Sequence, residues 1–432
     1  MVPYDRNVRV VSMASYRFTD VFVPGGFPRH TYNPRLDLQL ETTVAQARDN
    51  LCKLVTVTGH TKSGKTVLVR KVLPREDAVW IDGGAVGEET DFWTTIIDQL
   101  ELFQGDSISE SDDIATEFSG SVKAGASAII AKGEGQLAGS IGTNRNRSSV
   151  RARQVSSRAT AIAGLREAGT PVVIDDFHYL PRNVQGNVVR ALKPLIFDGL
   201  PVVIIAIPHR RYDAVKVERE MTGRILSVAI PAWSPEELKF IPETGFPLLD
   251  SYISPGISKG LAHESLGSPH LMQEFCRAVC KAHGITNSFE GKSADIGDQS
   301  LKVIFEGTAE TIGRPIFEKL ARGPRQRTDR IQRQLKTGVE VDIYGLVLHA
   351  LAYLRPALVT LEYEGLRSAI RDVSAQDIPQ LHEVSRVLKH MSDIAATDES
   401  STPVIDFDED EKVLHVTDPF FAFYLRWGDL TR

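Results

Sequence analysis

Gly59-His60-Thr61-Lys62-Ser63-Gly64-Lys65-Thr66 spells G-x-x-x-x-G-K-T. Its neighbours decide how it is read. Upstream, Leu54-Val55-Thr56-Val57-Thr58 is a β-branched apolar run of strand length. Downstream, Val67-Leu68-Val69-Arg70-Lys71-Val72-Leu73 fits a short helix stopped by Pro74. Strand, glycine loop and helix in this order form the context in which a loop cradles phosphate groups. Gly59 and Gly64 let the backbone curl so that its amides and the helix N-terminus face an anion. Lys65 is then placed to reach the β- and γ-phosphates, and the Thr66 hydroxyl to ligate magnesium. His60, Thr61, Lys62, Ser63 and Val67 complete the candidate phosphate-binding set.

Such a cradle needs a carboxylate for the metal. Pro171-Val172-Val173-Ile174-Asp175-Asp176 supplies two at the end of an apolar run, and a further strand, Ala78 to Asp82, lies between it and the glycine loop. A strand buried on both faces would deliver Asp175 beside magnesium at the carboxyl edge of a parallel sheet. Asp176 would stand next to it, able to orient an attacking water.

Composition narrows the remaining classes. The 432 residues are 42% hydrophobic and 25% charged, which excludes a disordered chain. Fifty basic against 56 acidic residues leave a net charge of -6, so nucleic-acid contact would need local patches. Runs such as Val202 to Ile207 fall well short of the roughly 18 apolar residues that span a bilayer. With no apolar signal core near Arg6, Arg9 and Arg17, the reading is a cytoplasmic protein without a membrane partner. Cys52, Cys276 and Cys280 cannot build a disulfide framework, and the last two sit four apart as buried helical residues would.

The phosphate loop, the Asp175-Asp176 pair and the later strand Val202-Val203-Ile204-Ile205-Ala206-Ile207 follow the order of AAA+ and STAND-type ATPases, and the chain resembles that superfamily. The resemblance implies an α/β P-loop NTPase with a parallel five-stranded sheet of the ASCE type, then a helical lid and a winged helix. It implies ATP and Mg2+ as ligands; no guanine-specific N-K-x-D pattern is present. It places a γ-phosphate sensor within Pro208-His209-Arg210-Arg211, at His209 or Arg210, and an inter-subunit arginine finger at Arg224, with Arg219 as the alternative. It puts Tyr32, Asn33 and Arg35 around the adenine. His270, in Gly267-Ser268-Pro269-His270-Leu271, stands where the lid of such proteins reaches the nucleotide with Arg. Many fast members carry Glu where this chain has Asp176, so slow to moderate hydrolysis is expected.

Outside these motifs, a helix is expected from Leu38 to Leu51 and another from Asp91 to Phe103. The first 232 residues then form the ATPase core, carrying an insertion at about 105–147. Ser119 to Thr143, rich in Gly, Ala and Ser, reads as a small-residue β-hairpin that needs another surface to pack on. Arg145, Arg147, Arg151, Arg153 and Arg158 follow it without one acid. Trp233-Ser234-Pro235-Glu236-Glu237-Leu238 has the Ser cap, N-terminal Pro and first-turn acids of a helix start, opening a lid over 233–300.

In the last part, 301–432, Lys319, Arg322, Arg325, Arg327, Arg330, Arg333 and Lys336 make a second basic run. Helices are expected over Tyr344 to Leu354, Leu361 to Ile370 and Leu381 to Ile394, and strands over Thr402 to Phe407 and Lys412 to Val416. Three helices and a hairpin predict a winged helix. Asp418-Pro419-Phe420-Phe421-Ala422-Phe423-Tyr424-Leu425-Arg426-Trp427 resembles the terminal helix of archaeal-type STAND ATPases. The expected protein is an ATP-dependent, oligomerising switch that regulates a separate effector, as such ATPases do in bacterial and archaeal signalling or antiviral defence. Two alternatives stand beside it. One is a loader or transposition-type protein that assembles on duplex DNA through its arginine runs; the other is a scaffold that binds ATP without hydrolysing it.

Overall fold

The computed structural model describes residues 15–49, 51–102, 106–109, 150–153, 156–207, 223–288, 298–324, 330–357, 360–396 and 403–431. His209, Arg210 and Arg219 lie outside these residues, as do the expected Ser119 to Thr143 hairpin, Arg145 and Arg147. In chain order the first strands are β1 (Leu54–Gly59), β2 (Val79–Asp82), β3 (Asp106–Ser109), β4 (Val150–Arg153), β5 (Val172–Asp175), β6 (Val202–Ala206) and β7 (Ile225–Ile230). Five of them form one sheet in the order β2-β5-β6-β1-β7, with every pairing parallel. This is the five-stranded P-loop α/β sheet expected from the sequence. β3 and β4 pair antiparallel with each other.

Alternation along the strands builds two cores. Leu54, Ile81, Val172, Ile174, Val202 and Ile204 point to one face and pack with Phe92, Trp93, Leu165, Val188 and Leu192. These come from the helices Glu89–Gln99, Ser157–Ala168 and Arg182–Phe197. Val55, Val57, Val173, Val203 and Ile205 point to the other face and meet Val44, Leu68 and Val69 from Leu40–Ala45 and Lys65–Val72. Each buried Val or Ile side chain stabilises the fold by about 1.5–3 kcal/mol, which explains why a strand buried on both faces reads as an unbroken apolar run.

The expected single helix from Leu38 to Leu51 is broken instead. Gln39 adopts a left-handed φ of 48°, separating a 3-10 turn at Leu36–Leu38 from the helix Leu40–Ala45, and a second 3-10 turn follows at Gln46–Arg48. The helix expected from Asp91 runs over Glu89–Gln99, begun by a capping box between Glu88 and Asp91.

Three further helices, Pro235–Leu248, Pro255–Glu264 and Pro269–Ala282, share one start chemistry. Ser234, Ser254 and Ser268 each accept a backbone N–H of the first turn, and each is followed by a proline that needs no donor there. The last part contains Asp298–Ile312, Arg314–Arg322, Ile343–Tyr353, Tyr363–Val373, Leu381–Ala396 and Pro419–Trp427. Its strands are β8 (Arg333–Gln334), β9 (Glu340–Val341), β10 (Thr360–Glu362), β11 (Ile405–Asp408) and β12 (Val413–Val416). Leu361, expected to open a helix, lies in β10, which joins β12 and β11 in a three-stranded antiparallel sheet. That register gives the hairpin a third strand contributed from before the helix.

One hydrophobic cluster runs from the helix Pro269–Ala282 into the last helix without interruption. Phe275 stands 5.1 Å from Phe305 and 4.9 Å from Phe423, ring centre to ring centre. Glu264 fastens the same junction, accepting from Arg426 at 3.0 Å and from Trp427 Nε1 at 2.7 Å. Phe423→Ala should therefore cost about 3–5 kcal/mol. In chemical denaturation followed by circular dichroism, with proteolysis scored in parallel, the helix Pro269–Ala282 should lose protection together with Pro419–Trp427. Loss confined to the terminal helix would contradict a shared core.

Candidate functional site

β1 ends at Gly59 and the chain turns through the glycine loop into Lys65–Val72, at the carboxyl edge of the sheet. Gly64 takes φ 92°, a conformation that a side chain disfavours, and caps that helix. Gly59 has a packing reason as well, since an added Cβ would lie 2.8 Å from Ser63 Oγ. The result buries Lys65, whose Nζ donates to the carbonyls of Gly59 at 3.0 Å and His60 at 2.9 Å. Burial lowers its pKa to about 8, against the pull of Asp176 and Asp175 in the other direction. An anion at the loop would restore the cation's preference for its charged form.

β6 separates β1 from β5, so Asp175 arrives across a crevice from the loop. Thr66 Oγ1 donates to Asp175 Oδ1 at 3.1 Å, which brings the two expected metal ligands together. The same oxygen accepts the N–H of Asp176 at 3.0 Å. Burial raises the Asp175 pKa, opposed first by the Thr66 hydrogen bond. Asp176 is pushed up to about 6 by burial and then by the Asp175 charge. It sits at φ 50°, and Gly83 approaches so closely that an added Cβ would lie 2.4 Å from the Asp176 carbonyl oxygen. Asp82, in register with Asp175, is a third carboxylate at this edge.

A cavity of about 390 Å³ opens beside these groups. Thr61, Lys62, Gly64, Lys65, Thr66, Val67 and Asp176 line its phosphate-loop side. Its far wall combines Gly25, Phe27, Tyr32, Asn33, Ile241 and Gln273. Its apolar, aromatic wall and charged loop suit a ligand with a flat ring at one end and phosphates at the other. The oxygens of Thr66 and Asp175 are hard donors that suit magnesium, which commonly relies on one or two protein ligands plus phosphate and water. Among the described residues no group of three or more His, Cys, Asp or Glu is placed to hold a metal.

Of the residues assigned from sequence, Tyr32 and Asn33 line the cavity, with Phe27 stacked 6.4 Å from Tyr32. Burial, then Glu41, raises the Tyr32 pKa above the ordinary phenol value. Arg35 does not line it. Its guanidinium is buried, pairs with Glu237 at 2.7 Å and donates to the carbonyl of Pro231 at 3.0 Å. His60 and Ser63 also stand outside the cavity lining, although the loop they belong to frames it. Arg224 lies at the opposite edge of the sheet, where its carbonyl accepts from Leu54 and its guanidinium covers the Phe197 ring at 3.9 Å. Five strand residues, about 17 Å, separate Leu54 from Gly59, so Arg224 stays far from its own phosphate loop.

Sequence reading missed Trp233 and Gln273. Trp233 Nε1 donates to the Ser63 carbonyl at 2.9 Å. Gln273 accepts from the N–H of Val23 at 3.1 Å and donates to Thr31 at 2.7 Å, which fixes the far wall. His270 does reach the site, its ring packing edge-on to Phe420 at 4.9 Å.

No protein-family model matches the chain, and no curated protein matches it by sequence. Solved structures similar to it include a Walker-type ATPase of Pyrococcus abyssi, with 14% identity, covering 90% of this chain and 94% of that one, at a TM-score of 0.49. Cdc6p of Pyrobaculum aerophilum is similar at 13% identity, covering 94% and 96%, at 0.43. A STAND protein of Pyrococcus horikoshii with a tetratricopeptide-repeat sensor is similar at 13% identity, covering 91% of this chain but 42% of that one, at 0.33. Among the described residues no helix is long and apolar enough to cross a membrane.

Burial, then Lys62, lowers the His270 pKa from 6.5 to about 4. A depressed folded-state pKa means that the unfolded chain binds the proton first, so this contribution is complete above pH 6.5 and lost as pH falls toward 4. His270→Gln should flatten the melting temperature's dependence on pH in that window, removing about 2–3 kcal/mol of acid sensitivity. An unchanged slope would contradict a neutral, half-buried His270.

Proposed function

We propose that this chain binds and slowly hydrolyses ATP as a switch whose nucleotide state governs self-association and contact with a protein partner. The observation that carries the reading is the Lys65 ammonium, buried and held by loop carbonyls beside the Thr66–Asp175 pair. The units of the switch would be the core, 1–232, the lid, 233–300, and a last unit, 301–432, of winged-helix type.

Lys65 would bring its charge to the β- and γ-phosphates, and the amides after Gly59 would bind their oxygens. Thr66 and Asp175 would hold magnesium, which when bound spreads the charge developing on the phosphates. Asp176, projecting into the cavity beside Lys65, would orient the attacking water through its carboxylate. Asp is one methylene shorter than the Glu of many fast ATPases, which supports modest turnover. Arg224 cannot serve its own site across the sheet, so its place in catalysis would be at a neighbouring copy, stabilising charge only in an oligomer.

The last unit supports a protein partner over DNA. Two basic residues of the helix Leu381–Ala396 are already engaged: Lys389 pairs with Glu409 at 2.8 Å and His390 bonds Tyr344 at 2.8 Å. The acidic turn carrying Asp408, Glu409, Asp410 and Glu411 would also repel phosphates.

Lys65→Ala should abolish nucleotide binding in calorimetry. Asp176→Asn should retain binding while lowering single-turnover hydrolysis by about 10²-fold or more. Arg224→Ala should lower turnover at protein concentrations where the wild type associates and leave monomer binding intact. Hydrolysis surviving Asp176→Asn would remove the proposed water-orienting role, and wild-type binding without any hydrolysis would favour the nucleotide-locked scaffold.

A further inference from the structure

The side chain of Lys62 leaves the phosphate loop in the direction of the chain's far end. It pairs with Asp418 Oδ2, and its Nζ lies 3.9 Å over the Phe420 ring. Asp418 is buried, and its other oxygen caps the helix Pro419–Trp427 by accepting the N–H groups of Phe420 at 2.8 Å and Phe421 at 2.9 Å. His270 completes the contact from the lid, edge-on to Phe420. The loop backbone is gripped on the same side, because Ser268 Oγ donates to the Lys62 carbonyl at 3.3 Å and Trp233 to that of Ser63. Lys62 also lines the cavity. One ammonium therefore serves both a candidate nucleotide site and the N-terminus of the last helix.

From this geometry we infer that Asp418 is a built-in competitor of nucleotide phosphate: the phosphate loop holds either the terminal helix, through Lys62, or a polyphosphate at full strength, and each weakens the other. The inference rests on the reading of the cavity as a nucleotide site. Its physical basis is charge. A nucleoside triphosphate brings several negative charges to a loop whose outer lysine is already neutralised by a buried carboxylate. The anion draws on the same ammonium and repels Asp418 through a poorly screened, buried path. Linkage makes the effect reciprocal: the factor by which bound nucleotide weakens the Lys62–Asp418 contact is the factor by which that contact weakens nucleotide binding. The Phe423 and Trp427 rings and the Arg426–Glu264 pair keep the rest of the helix attached to the hydrophobic cluster. The competition is thus confined to the helix's first turn.

Asp418→Asn isolates the charge, since Asn retains the oxygen that caps the helix and ranks with Asp at that position. Lys62→Met is the partner variant: it keeps an unbranched apolar stem on the Phe420 ring and removes the ammonium. Calorimetric titration of the full chain with a slowly hydrolysed ATP analogue and magnesium, for the wild type, both single variants and the double variant, forms a thermodynamic cycle. Asp418→Asn should bind the analogue at least about fivefold more tightly than the wild type, and the gain should shrink or vanish when Lys62 is Met. Equal or weaker binding by Asp418→Asn beside a wild type that does bind would overturn the competition and leave the nucleotide reading standing. A gain of the same size in the Lys62→Met background would also overturn it, because the competition is then not for Lys62. A wild type that binds no nucleotide would overturn the nucleotide reading, and the competition with it. Thermal melts of all four proteins without nucleotide check that each is folded.

Discussion

Placing an ammonium in the interior is expensive unless its hydrogens find oxygen acceptors, and the phosphate loop is built around that requirement for Lys65. The carbonyls of Gly59 and His60 take two of its hydrogens, and Asp175 and Asp176 supply opposing charge from the neighbouring crevice. Burial still dominates and lowers its pKa to about 8. The carboxylates suffer the reverse pressure, most clearly Asp176, pushed up to about 6. A site holding three groups against their charge preferences gains from a ligand that brings phosphate to the lysine and a cation to the acids. The sheet order β2-β5-β6-β1-β7 makes this possible, because inserting β6 opens the space that the loop and the acids share.

The loop is also where the parts of the chain meet. Trp233 and Ser268 bond the carbonyls of Ser63 and Lys62, Gln273 fixes Val23 and Thr31, and Asp418 takes the Lys62 ammonium. These side chains come from the segment 233–273 and from the start of the last helix, and a single hydrophobic cluster joins those two regions. A change in the loop's electrostatics therefore has a mechanical path to the C-terminal part. Apolar packing alone would bind those parts without regard to charge; the polar contacts to the loop are what would make them responsive to an anion.

Local patterns were legible and long-range contacts were not. The eight residues Gly59 to Thr66 lie between a strand and a helix that show their own periodicity, and Val172 to Asp175 read as a buried strand for the same reason. The Ser-Pro helix start at Ser234 depends on neighbouring residues only and is legible in the sequence. Arg35 shows the limit. The resemblance implies an adenine contact for it, whereas its guanidinium pairs with Glu237, 202 positions away, on the carboxylate that also caps the Ser234 helix. The roles of Trp233, Gln273 and Asp418 are not legible locally, because each acts on a residue at least 170 positions distant, and no local period records such a pairing. The break at Gln39 was hidden for another reason: nothing about a glutamine announces a left-handed φ.

The proposed switch requires the phosphate loop to couple anion binding to both the helix Pro269–Ala282 and the terminal helix. Hydrogen–deuterium exchange of the full chain, with and without magnesium and a slowly hydrolysed ATP analogue, tests it most directly. Protection should rise in the loop from Gly59 to Thr66 and fall in the first turn of Pro419–Trp427, with the helix Pro269–Ala282 changing alongside. Protection confined to the loop, with the lid and the terminal helix exchanging as before, would contradict it.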